Sequence, residues 1–158
     1  MNIFVVDEDA YKSGISLCNK HVVKMPLETA QLLCTTVSVL SKKDTPYKKA
    51  FVNHPCSVWT RESLSNFEWL VEHGLGICDA YSIEYGKQHK AKDVIVWCQA
   101  NKPNISEFPT QCLTKHAVCM PDHCKKQSVV DSYRNYYILQ KSRFAKWNKR
   151  KVPDWMKL

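Results

Sequence analysis

Apolar side chains in this chain recur at spacings of three and four residues over long stretches, and nowhere alternate at period two for long enough to build a sheet. That pattern points to helices, because residues three and four apart share a helix face whereas residues two apart share a strand face. Ala30, Leu33, Val37 and Leu40 form one such stripe, and Leu64, Phe67, Val71, Leu75 and Cys78 form another. The expected fold is all-α, a compact helical bundle with residues 1–158 in a single domain. A chain of 158 residues can bury a proper core without staples.

Caps and breakers divide the pattern. Residues 2–6 read as a short extended lead-in, and Asp9 is placed to cap a first helix that ends or is interrupted near Gly14. A second helix is expected to begin near Pro26, since proline is tolerated in a first turn and damaging further in. Residues 42–49, with Asp44 and Pro46, read as a loop. Asn53-His54-Pro55 predicts a strong helix start, with Asn53 or His54 at the cap. The long helix that follows is expected to kink around Gly74 and Gly76 and to end at Gly86. Residues 94–98 fit either helix or strand. Residues 101–125 contain Pro103, Pro109 and Pro121 and predict mostly loop, before a last helix near 127–144.

Composition narrows the function classes. No stretch approaches the roughly 20 apolar residues that cross a bilayer, so no membrane partner is expected. Asp7, Glu8 and Asp9 follow the first apolar run, the reverse of a secretory signal, and predict a cytoplasmic location. Eight scattered cysteines in that compartment predict reduced thiols that serve mainly as small core residues. The net charge of +8 is concentrated. Residues 133–151 carry Arg134, Lys141, Arg143, Lys146, Lys149, Arg150 and Lys151 with no acid among them. A basic stripe of this kind suits a polyanion, nucleic acid first, although a solvated basic helix has the same composition. Residues 133–158 also bring Tyr133, Tyr136, Tyr137, Phe144, Trp147 and Trp155 into this basic helix and tail. Bases stack on such rings at about 1–3 kcal/mol each, while the helical spacing of Tyr133, Tyr137 and Phe144 also suits a core.

Four polar residues, Lys20, Lys24, Glu28 and Gln31, are separated by 4, 4 and 3 positions. On one continuous helix they fall within an arc of about 80° at about 100° per residue. Two amines and a carboxylate on one face can hold a phosphate backbone and move protons, and they can equally form exposed i,i+4 ion pairs. His21 beside them is a candidate proton carrier or phosphate contact. His54, Arg61 and Asn66 are further polar candidates around the helix start at Pro55, although capping alone accounts for Asn53-His54-Pro55. Cys112, His116, Cys119, His123 and Cys124 are weak metal candidates. Their order, C-x3-H-x2-C-x3-H-C, lacks the tight first cysteine pair of the usual zinc patterns, and no metal is expected.

Taken together these pieces resemble the pyrimidine-dimer DNA glycosylase and AP lyase families of phages and bacteria. The resemblance lies in Met1-Asn2-x-Phe4, in Asn19-Lys20-x-x-x-Lys24-x-x-x-Glu28-x-x-Gln31, and in Asn53-His54-Pro55 followed by Trp59. His21, seven residues before Glu28, and the aromatic basic patch Tyr133-Arg134-Asn135-Tyr136-Tyr137 are similar to the phage members. The similarity covers residues 1–90 and 133–137 and leaves 91–125 unmatched. It implies a helical fold and a DNA glycosylase, with lyase activity, acting on damaged or modified pyrimidines in DNA without metal or organic cofactor. An amine would attack the sugar C1′, the base would leave, and elimination from the resulting Schiff base would nick the strand.

By the same resemblance Glu28 stabilises the sugar cation, while Lys20, His21 and Lys24 hold phosphates or supply the amine. Asn2, Gln31, Asn53, His54, Arg61, Asn66, Tyr133, Arg134, Tyr137 and Lys141 would contact the nucleic acid. The phage enzymes use an N-terminal α-amine freed by removal of the initiator methionine. Here Asn2 is larger than the residues that permit that removal, so Met1, Lys20 and Lys24 all stand as sources of the amine. An α-amine reaches its neutral form more cheaply than a lysine by about 3 kcal/mol. The alternative function is a non-catalytic nucleotide- or nucleic-acid-binding protein on the same scaffold, such as a phage protein that sequesters a nucleotide.

Overall fold

The first helix, α1 (Ala10–Ile15), starts where the Asp9 carboxylate accepts a hydrogen bond from Lys12 N at 2.8 Å. It leads into α2 (Asn19–Ser41), α3 (Pro55–Glu62), α4 (Leu64–Tyr85), α5 (Ala91–Ala100) and α6 (Val129–Tyr136). This computed structural model describes residues 1–157, and no strand forms among them. The all-α class therefore stands. No helix among the described residues is long and apolar enough to cross a membrane.

The second helix begins seven residues earlier than its proline predicts. Pro26 lies inside α2, where it removes one backbone donor at a cost of about 3 kcal/mol in an unsupported helix. Support comes from outside the helix. Asn19 N donates to Lys146 O at 2.9 Å, and Cys18 N donates to the Tyr137 hydroxyl at 3.3 Å. Pro26 itself is buried with Val22, Met25, Thr29 and Ala30, so the ring that breaks the ladder also fills the core. Lys20, Lys24, Glu28 and Gln31 consequently do share one continuous helix.

The long helix after Pro55 is in fact two. His54 caps α3 as expected, its Nδ1 accepting from Cys56 N at 3.1 Å with Pro55 at the first position. At Ser63 the backbone turns extended (φ −144°, ψ 156°), and residues 110–111 dock against the break. Thr110 N donates to Glu62 O, and Leu64 N donates to Thr110 O, each at 3.2 Å. Ser63 then caps α4 by accepting from Asn66 N at 3.0 Å. The break is stabilised by a loop far away in sequence, so no local breaker announces it.

Gly74 and Gly76 do not kink α4. A Cβ on Gly76 would lie 2.5 Å from Tyr11 O, and one on Gly14 would lie 2.1 Å from His73 O. Gly14 and Gly76 let the backbones of α1 and α4 touch, and α4 runs through Gly74 and Gly76 to Gly86, whose φ of +68° closes it. α2 and α4 pack on one another at the centre, with α5 against both and α1 on α4. Leu32, Leu33, Phe67, Leu70, Ile77 and Ile95 are fully enclosed there. Each such side chain contributes roughly 1.5–3 kcal/mol by leaving water. Residues 94–98 belong to α5 and are helical.

Residues 101–128 are irregular apart from short 3-10 turns at Ile105–Glu107 and Asp122–Cys124. α6 continues as a π-helical turn at Tyr137–Lys141, and the predicted last helix stops there rather than at 144. The tail then runs back over the α1–α2 junction. Trp147 Nε1 donates to Ser16 O at 3.0 Å, and Arg150 donates to Ile15 O and Leu17 O at 2.7 and 2.9 Å. Arg150 is ion-paired with Glu84 of α4 at 3.0 Å, with both side chains nearly sealed from solvent.

Candidate active site

Where the N-terminal segment, α2 and α6 meet, they enclose a cleft of about 190 Å³. Met1, Asn2 and Phe4 form one wall, and His21, Lys24, Met25 and Glu28 of α2 form another. Tyr136 and Lys141 close the third side. The α-amino nitrogen of Met1 lies 3.6 Å from Glu28 Oε1, and Lys24 Nζ lies at the same distance from that oxygen. Glu28 is largely enclosed whereas Lys24 projects into solvent, at 13% and 70% side-chain exposure. The pair formed with the terminal amine is therefore the less screened of the two.

The N-terminus is held in place through the Asn2 side chain, which bonds the Cys119 backbone and the Tyr133 hydroxyl. Asn2 Nδ2 donates to Cys119 O at 2.8 Å, and Asn2 Oδ1 accepts from Ile3 N at 2.9 Å and from the Tyr133 hydroxyl at 2.8 Å. The Tyr133 hydroxyl also accepts from Cys119 N at 3.2 Å. Both polar atoms of the Asn2 side chain are thus engaged, and its place is that of a brace for Met1.

His21 is stacked on Phe4, with ring centroids 4.3 Å apart, and its Nδ1 is hydrogen-bonded to the Tyr137 hydroxyl. Burial, assisted by the charges of Lys141 and Lys24, lowers its pKa to about 3. At neutral pH the ring is uncharged, so it shapes the floor of the cleft and carries no positive charge toward phosphate. The π-helical turn after Tyr136 brings Lys141 to the cleft, with Nζ 4.7 Å from the Tyr136 ring centroid.

The other expected contacts lie elsewhere. Lys20 reaches away from Glu28 and sits 4.9 Å from the Phe144 ring centroid. Gln31 is half-buried one turn beyond Glu28 and does not line the cleft. Asn53 is exposed ahead of α3, and Arg61 donates to Val52 O at 2.6 Å and to Ser57 Oγ at 3.2 Å, tying the loop to the helix. Asn66 is fully buried, donating to Trp59 O and Thr114 Oγ1 and accepting from Thr114 N. Tyr133 and Tyr137 are buried, and Arg134 is turned inward to Val6 O at 2.8 Å and to Asp7. Of the seven cations in 133–151, Arg134 and Arg150 are therefore occupied in holding the fold, while Arg143, Lys146, Lys149 and Lys151 remain exposed.

The weak metal candidates Cys112, His116, Cys119, His123 and Cys124 do not come together as one cluster. Cys112 is exposed, and His116 stacks on Trp59 with centroids 4.5 Å apart. His123 faces Gln140, and Cys124 is buried. Only Cys119 finds a sulfur partner, and that partner is Cys56, 3.7 Å away and 63 residues distant in sequence. All eight cysteines are free thiols. Cys119 is the more acidic of its pair, brought down to about 7 chiefly by the hydrogen bond with Cys56, with the terminal amine assisting and burial opposing. Phe4 was marked only by its place in the opening motif, and Met25 was not distinguishable in the sequence from an ordinary core residue. Their place in the cleft follows from the docking of residues 1–6 alongside α2.

Among known proteins, the chain matches no protein-family model, no curated protein and no solved structure.

Proposed function

We propose that this chain is a DNA glycosylase with lyase activity, acting on damaged or modified pyrimidines, with the Met1 α-amine as nucleophile and Glu28 as its partner. The observation that carries this reading is the 3.6 Å contact between that amine and the enclosed Glu28 carboxylate inside the cleft. Of the three amines left open by the sequence, Lys20 is withdrawn toward Phe144 and Lys24 extends into solvent. α-Amines as a class lose their proton more readily than lysine side chains. Its lone pair would attack C1′ as the base departs with the electrons of the glycosidic bond. Glu28 would accept the proton shed by the nitrogen and return it during opening of the sugar ring. The exposed Lys24, Arg143 and Lys146 and the half-buried Lys141 supply cations near the cleft and along the tail for flanking phosphates.

Borohydride trapping on ultraviolet-irradiated duplex DNA, beside an abasic duplex, tests this. The expected result is a covalent complex through the N-terminal nitrogen, lost when one residue is added ahead of Met1. Glu28→Gln should abolish turnover while leaving DNA binding within about threefold, the loss of a single weak screened contact at most. Retained turnover in Glu28→Gln removes the mechanism. No trapping, no alkali-labile strand breaks and tight binding of a free nucleotide would favour the binding-protein alternative.

A further inference from the structure

The structure assigns a site to the meeting point of His54, Cys56 and Cys119: we infer that these three residues hold a zinc-class soft divalent cation. One ligand atom from each lies within 4.8 Å of the other two. Two sulfurs bound to one tetrahedral zinc at about 2.3 Å each must lie about 3.8 Å apart. The observed separation of 3.7 Å already has that value, whereas a disulfide requires about 2.05 Å. Two thiolates and an imidazole form a donor set that favours zinc over hard cations such as magnesium or calcium. The neutral His54 ring has one lone pair, which accepts from Cys56 N at Nδ1, and a bound metal would take that lone pair in place of this cap bond.

The surroundings are those of a supported site. Asn2 and Tyr133 fix the backbone of Cys119 on both its carbonyl and amide sides. His54 and Cys56 sit on the first turn of α3, whose geometry fixes their relative positions. Cys56 is enclosed, while His54 and Cys119 are half-buried, which leaves an approach from solvent. A second sulfur pair provides an internal contrast. Cys34 and Cys98 are 3.5 Å apart and buried, yet among the described residues no third ligand joins them. With three protein ligands, a fourth position stays open for water or another small donor. This inference does not rest on the glycosylase reading.

Cobalt(II), whose bonds to thiolates give a charge-transfer absorption, tests the assignment in the full chain after reduction and removal of metal. The expected result is one cobalt per chain with that absorption, displaced by zinc. Cys119→Ser should abolish it. His54→Asn should abolish it too, while asparagine still caps α3 and the helical circular dichroism stays unchanged. Cys112→Ser, at an exposed position outside the site, should bind as the parent does. Absence of the band in the parent chain overturns the site. So does a band that survives Cys119→Ser or His54→Asn, or one lost with Cys112→Ser.

Discussion

Residues 1–100 and residues 101–157 are held in different ways. The first region consists of helices whose apolar faces meet in one core, centred on Leu32, Leu33, Phe67, Leu70 and Ile77. The second is mostly irregular chain, which adds Phe108, Tyr133 and Tyr137 to that core and is further attached by polar side chains that bond distant backbone groups. Asn66 holds Thr114, Asn2 holds Cys119, Arg134 holds Val6, and Arg150 holds Ile15 and Leu17. Burial can be specified by local spacing, whereas these attachments each need a particular partner more than 40 residues away. The candidate active site lies on the seam between the two regions and needs both.

Glu84→Ala should expose this difference most strongly. It leaves the buried Arg150 without its counter-charge and also takes the acceptor from Lys149 N. A loss of about 3–5 kcal/mol is expected in urea unfolding. Fluorescence of Trp147, which is bonded to Ser16 O, should report release of the tail before the helices melt. A single transition that coincides with the helical signal would instead make the two regions one cooperative unit.

Gly14→Ala acts on the helical region alone. With His73 O only 2.1 Å from the new methyl group, the α1 and α4 backbones must separate. A cost of about 1–3 kcal/mol is expected. Unchanged stability would mean that α1 can slide without loss.

Acid provides the gentlest discriminator. His21, at the seam, and His73, inside the helical region, are both lowered from 6.5 to about 3, chiefly by burial. Their folded values lie below the unfolded one, so the unfolded chain binds more protons between those limits. Their contribution is fully present above pH 6.5 and is lost as pH falls toward 3. Urea midpoints measured across that window should decline with acid, and His73→Gln should flatten the decline relative to its own neutral value. An equally steep decline in that variant would place the acid sensitivity elsewhere.

The sequence made the helical region legible and the seam only partly so. The stripes through Leu33 and Phe67, the caps at Asp9 and His54, and the stop at Gly86 are all local signals, and the structure follows them. Pro26 misleads because its cost is offset by contacts from residues 137 and 146. The Ser63 break is invisible because Thr110 holds it. In the cleft, helical spacing was enough to bring Lys24 and Glu28 together with His21. Asn66, Tyr133 and Tyr137 look the same in sequence whether they face a ligand or bond inward, and here they bond inward. Cys56 gave no signal as a partner for Cys119, since 63 residues separate them.

The knot that ties Asn2 to Tyr133 and Cys119 has a consequence for how the molecule comes into being. Synthesis proceeds from the end that carries Met1, at roughly 5–20 residues per second. Asn2 is therefore made well before its partners, because the bonds that fix it span 117 and 131 positions. A chain still on the ribosome can pack α1 against α4 while its cleft has only two of three walls. A copy that stops short of Tyr136 and Lys141 lacks the third wall of the cleft, so these two residues mark that the chain has been extended that far.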